Sequence, residues 1–89
     1  MIAAQIQFIP LESQNSMALV DDAIAIIQMS GLTYEVGPFG TSVEGPSSLV
    51  HATIQKLLAS HTATEFLLQV QYHVGPTRLS NHEKVAKFR

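Results

Sequence analysis

The groups with which this chain of 89 residues could do acid–base or metal chemistry are few. Its four histidines are His51, His61, His73 and His82. No two of them stand at i, i+3 or i+4, so the sequence carries no helical metal-ligand pair. Asp21 and Asp22 are adjacent, but neighbours on a helix point ~100° apart, so they read as solvated charges at a helix start. No serine lies in a G-x-S-x-G elbow, and there is no cysteine and no Gly-rich phosphate loop. Glu44 stands apart. It precedes Gly45 at the end of an alternating segment and just before a helix start, where a carboxylate can serve the helix dipole, an edge strand or a cationic ligand. This inventory points away from an enzyme.

The elements that must position these groups follow from hydrophobic period. "MIAAQIQFIP" alternates, with Ile2, Ala4, Ile6 and Phe8 on one side and Ala3, Gln5, Gln7 and Ile9 on the other; it reads as a strand that Pro10 stops. "SMALVDDAIAIIQMSG" is a helix capped by Ser16 or Asn15, with a stripe of Val20, Ala23, Ile24 and Ile27 and Gly31 as its left-handed terminator. "LTYEVGPFGTSVEG" holds two short alternating strands around a Gly37-Pro38-Phe39-Gly40 corner, which makes an antiparallel hairpin. "PSSLVHATIQKLLASH" is a second helix opened by Pro46, Ser47 or Ser48, with Val50, Ile54, Leu57 and Leu58 as its buried stripe. "EFLLQVQYHV" is a last strand, with Phe66, Leu68, Val70, Tyr72 and Val74 opposite Leu67, Gln69, Gln71 and His73. Ser80 and Glu83 form a capping box, which predicts a short terminal helix.

The order strand, helix, strand, strand, helix, strand, with right-handed crossovers, predicts an α+β, ferredoxin-like βαββαβ sandwich. Its antiparallel sheet has order 4-1-3-2, with both helices on one face. The first and last strands are then neighbours. Their helix-averted faces carry Gln5, Gln7, Gln69, Gln71 and His73, a face without formal charge that suits burial against a second subunit or around a ligand.

Composition sets further bounds. A chain of this size is expected to be one domain, residues 1–89, and buries somewhat over ~60% of its extended surface. The absence of cysteine removes disulfides and thiolate metal sites. A hydrophobic fraction of 46% with only 13% charged residues hints at a homo-oligomer. The net charge of −2 and five Lys and Arg residues argue against nucleic acid as partner. No apolar run approaches the ~20 residues of a membrane span, and the N-terminus lacks signal-peptide features, so a cytoplasmic location is expected.

The hairpin also carries a resemblance. "GLTYEVGPFGTSVEG" resembles the signature of the small thiamine-binding family of ferredoxin-like proteins, related to the YkoF thiamine and hydroxymethylpyrimidine binders. The pattern G-L-x-Y-x-x-x-P-x-G-T-x-x-E-G is met by Gly31, Leu32, Tyr34, Pro38, Gly40, Thr41, Glu44 and Gly45. "IQFIPL" and the late Glu83-Lys84-Val85 are similar to the family's opening and closing segments, and Phe39 stands where Met is commoner. The resemblance implies a non-catalytic binder of thiamine or its hydroxymethylpyrimidine moiety, assembled as a homo-dimer or homo-tetramer and acting in storage, sensing or delivery. It implies no cofactor beyond thiamine as the bound ligand. Thr41 and Glu44 carry over from motif positions. Phe39 for stacking, Ser42 for hydrogen bonds, and Gln7, Gln71 and His73 on the outer face complete the candidate ligand-binding set by strand parity. Parity also sends Thr41 and Glu44 to opposite faces of a regular strand, so a shared pocket requires a bulge.

Three rival readings differ in class. A structural or regulatory oligomerisation module would use the Gln-rich face for assembly alone. An acylphosphatase-like enzyme would need an arginine in the loop after the first strand, and "PLESQNS" has none. An RNA-recognition domain would need stacking aromatics and basic residues in "GTSVEG".

Overall fold

The computed structural model describes residues 1–11, 14–60 and 64–89. The predicted alternation becomes strand β1 (Ile2–Pro10), and the 3.6-residue stripe becomes helix α1 (Ser16–Gln28). The hairpin follows as β2 (Thr33–Val36) and β3 (Thr41–Gly45). Helix α2 (Ser47–Ser60) and strand β4 (Phe66–His73) complete the second half. Helix α3 (Asn81–Val85) and a 3-10 turn (Ala86–Phe88) close the chain. His61 lies outside the described residues.

The four strands form one antiparallel sheet in the order β2-β3-β1-β4, which is the predicted 4-1-3-2 order of a ferredoxin-like fold. Ile2, Ala4 and Ile6 of β1 and Val43 of β3 meet Ala23 and Ile27 of α1 and Val50 and Leu57 of α2 in the core. Val43, Val50 and Leu57 are completely buried. Apart from Val43, these are the residues the two periods selected, because only one face of each element can leave water in a two-layer sandwich.

Local details depart from the sequence reading in three places. Asn15 occupies the N-cap position of α1 in a left-handed conformation, φ 63°, and its side chain makes no capping bond. Asp21 and Asp22 fall beyond the first turn of α1, which holds no acidic residue, so they do not serve its N-terminal dipole. In α2 the buried stripe runs through Val50, Thr53 and Leu57, while Leu58 is 48% exposed. Thr53 can enter the core because its hydroxyl donates to the Leu49 carbonyl at 2.8 Å, leaving no unpaired polar group. Gly31 does adopt the left-handed conformation expected of a helix terminator, φ 85°. Ser80 and Glu83 form the complete capping box of α3.

Candidate ligand-binding site

The hairpin corner builds a cleft because β1 outruns β3. Their pairing ends at Ile6↔Thr41, while β1 continues to Pro10 in register with β4. The corner from Gly37 to Gly40, closed by a bond from the Gly37 amide to the Gly40 carbonyl at 2.8 Å, stands over that end of β1. Helix α1 covers the remaining side with Val20, Ala23, Ile24 and Ile27, and the enclosed cleft measures about 240 Å³. Gly40 permits the close approach. A Cβ there would lie 2.8 Å from the Ile6 carbonyl oxygen and 2.4 Å from Gln5 Nε2, distances a side chain cannot occupy.

Thr41, Phe39 and Gln7 line this cleft, together with the backbone of Gly37, Pro38 and Gly40. Thr41 is buried and Phe39 is 81% exposed, so one lies at the floor and the other at the mouth. No Asp, Glu, Lys, Arg or His lines it among the described residues. The arrangement suits a flat, neutral ring, which gains from apolar walls, an aromatic at the mouth, and a hydroxyl and peptide groups for its edge atoms.

Glu44 lies on the other side of the sheet and is already engaged. Its side chain is 10% exposed, and its Oε2 accepts a 2.6 Å ion pair from Arg78 Nη1, whose side chain is 6% exposed. The Asn81 amide donates to both carboxylate oxygens at 3.2 and 3.3 Å, and Asn81 Nδ2 donates to the Val43 carbonyl at 3.1 Å. The carboxylate therefore binds the C-terminal segment to β3 and holds α3 against the helix-averted face. The charge that sequence reading offered to a cationic ligand is spent on Arg78.

Ser42, Gln71 and His73 line a second cleft on that same face, between β1, β4 and α3. The Ser42 hydroxyl donates to Gln5 Oε1 at 2.8 Å, and Lys84 Nζ contacts His73 Nδ1. The candidate set is thus divided: Thr41, Phe39 and Gln7 share the corner cleft, Ser42, Gln71 and His73 share the open-face cleft, and Glu44 lines neither. The strand stays regular between Thr41 and Glu44, so the bulge that would have united them is absent from β3. Arg78, Asn81 and Lys84 were not foreseen. The signal was available in the pull of Glu44: a carboxylate on an otherwise uncharged face needs a cation, and four of the five cations, Arg78, Lys84, Lys87 and Arg89, cluster at the end of the chain.

The family model for thiamine-binding proteins matches residues 4–88. The fold closely matches the crystal structure of a Thermotoga maritima protein provisionally assigned to thiamine biosynthesis or salvage, at 27% identity, TM-score 0.90, with 99% of this chain and 98% of that one covered. It also matches a Bacillus cereus domain of unknown function, DUF77, at 25% identity, TM-score 0.86, covering 99% and 89% of the two chains. A Streptococcus pneumoniae protein matches at 26% identity and TM-score 0.81, covering 96% and 97%. A comparison with curated proteins finds no match. Corner, cleft and sheet thus lie within the span of a family match that covers nearly the whole chain, and the protein belongs to the thiamine-binding protein family.

Proposed function

We propose that this protein binds the hydroxymethylpyrimidine ring, alone or as part of thiamine, in the corner cleft, and that it does so without turnover. One observation carries the reading: the motif residues Pro38, Gly40 and Thr41 line an apolar cleft free of ionic side chains among the described residues. At about 240 Å³ the cleft lies below the ~300–1,000 Å³ of pockets that enclose drug-sized ligands. It holds one ring, with the thiazolium of thiamine left toward the mouth, beside Phe39. An aromatic face there attracts a cation without the carboxylate that Glu44 does not supply. Storage, sensing or delivery in the cytoplasm suits such a binder; among the described residues no helix is long and apolar enough to cross a membrane.

Isothermal titration with hydroxymethylpyrimidine and with thiamine tests this. Both are expected to bind saturably. Phe39→Ala is expected to weaken thiamine by about 0.5–1.5 kcal/mol, the worth of one aromatic contact, and the neutral ring by less. Absence of saturable heat for both ligands at millimolar concentration would overturn the reading.

A second reading, self-association, is favoured by the free edge of the sheet. β4 is a terminal strand of the sheet, and from Phe66 to His73 it carries no Asp, Glu, Lys or Arg. Natural edge strands are commonly guarded by such charges. We take this edge as the place where a second copy adds its strand, and self-association then accompanies ligand binding rather than replacing it.

A further inference from the structure

The open-face cleft has a construction of its own. Two rungs cross the central strands there: Glu44–Ala3–His73 and Ser42–Gln5–Gln71. Ala3 sits in the middle of the first rung with larger side chains on both sides, so its small methyl leaves a hollow in the sheet face. Helix α3 overhangs that hollow with Asn81 and Lys84, and the open-sided space beneath it is about 400 Å³, larger than the corner cleft. Ala3 is only 3% exposed although it faces away from the core, which shows how far the overhang shields the floor from water.

The charges of this hollow are one-sided. Lys84 is the charged side chain that lines it, and no carboxylate does among the described residues. Glu44, at the far end of the Ala3 rung, is neutralised by Arg78 at 2.6 Å. Lys84 Nζ meets His73 Nδ1, which accepts one ammonium hydrogen. The remaining ammonium hydrogens stay available to the cleft, which Gln71 also lines, while the His73 Nε2–H lies on the edge of the ring away from Lys84. A cation with free ammonium hydrogens beside an amide, over a buried floor, complements an oxyanion through charge-assisted hydrogen bonds. Lys84 is also held in position: the capping box fixes the start of α3, and Asn81 ties it to Glu44 and to the Val43 carbonyl.

We propose that the cleft between the open sheet face and α3 is a second binding site, for a small oxyanion such as a phosphate or carboxylate group, with Lys84 and Gln71 as its donors and His73 positioning the Lys84 ammonium. It lies across the sheet from the corner cleft, so one small ligand does not reach both, and the inference stands whether or not the pyrimidine reading holds. Amide-resolved NMR titration of the whole chain tests it, with sodium phosphate and sodium acetate in separate arms at constant ionic strength. Saturable shifts are expected at Ala3, Gln5, Gln71, Asn81 and Lys84, and the tighter arm identifies the head group. Lys84→Met is expected to weaken the anion about tenfold or more, the loss of one charge-assisted bond, with unchanged thiamine affinity and thermal midpoint. Gln71→Leu, which keeps the cation, is expected to weaken it less. Absence of saturable shifts in both arms, undiminished binding by Lys84→Met, or shifts centred instead on Lys56, Lys87 and Arg89 would each overturn the proposal.

Discussion

Arg78 and Glu44 illustrate how a single carboxylate is read differently once its partner is known. A cation and an anion each withdrawn almost wholly from water must keep one another, because either left alone carries an uncompensated buried charge. Glu44→Gln is therefore expected to destabilise the fold by about 3 kcal/mol, measured by urea unfolding. The double variant Glu44→Gln with Arg78→Met is expected to recover part of the loss. Pyrimidine affinity should stay within twofold of the parent in both; a loss of about tenfold would return Glu44 to the ligand site. Gly40 gives a second residue-scale expectation. Gly40→Ala places a methyl 2.8 Å from a backbone carbonyl, an atom that cannot rotate away. A cost of about 1–3 kcal/mol and loss of pyrimidine binding should appear together, read by thermal unfolding and calorimetry.

At the scale of elements, α3 rests on local chemistry as much as on packing. Ser80 accepts from the Glu83 amide at 3.1 Å, and Glu83 Oε1 accepts from the Ser80 amide at 2.9 Å. The bond from the Ser80 backbone amide, then the Ser80 hydroxyl, and to a lesser degree His82 hold the Glu83 carboxyl below its ordinary value of 4.5. A carboxyl depressed in the fold stabilises above its unfolded pKa and loses that contribution as pH falls through the lower folded value. Hydrogen-exchange protection of α3 should accordingly weaken as pH drops below about 4, and less so in Glu83→Gln; a pH-independent tail would contradict this. Ser80→Ala should cost α3 about 1 kcal/mol.

These elements also show what could be read beforehand. Strand faces were legible because alternation is enforced residue by residue, as Ile2, Ala4 and Ile6 against Ala3, Gln5 and Gln7 demonstrate. The capping box was legible because both of its bonds close within four residues. Thr41 at the corner was legible from the family motif, and Phe39 from the turn composition around it. The contact of Glu44 with Asn81 was not: the two are 37 apart in sequence, and no local period reports a contact of that range. Leu58 failed for a related reason, since α2 meets the sheet along a line that Thr53 completes by bonding its own backbone.

For the whole molecule the sheet edges differ. β2 has four residues and carries Glu35, which pairs with Arg89, whereas β4 has eight without a formal charge. If a second copy joins at β4, sedimentation equilibrium should return a multiple of the chain mass. Gln69→Lys with Leu67→Lys, two charges on that strand, should shift the population toward the single chain. A native protein that sediments as one chain at millimolar concentration would remove the edge from consideration.

The interleaving of two clefts along β1 and β3 bears on how such a chain can diverge. Ile6 and Thr41 look into one cleft, Gln5 and Ser42 toward the other, and each pair is a single rung of the ladder. Natural variants could change the specificity of one side while the other is held constant, provided each substitution respects its rung. An insertion of one residue within β3 would instead exchange the two alphabets and corrupt both messages at once. Length in this hairpin should therefore be inherited more strictly than letters.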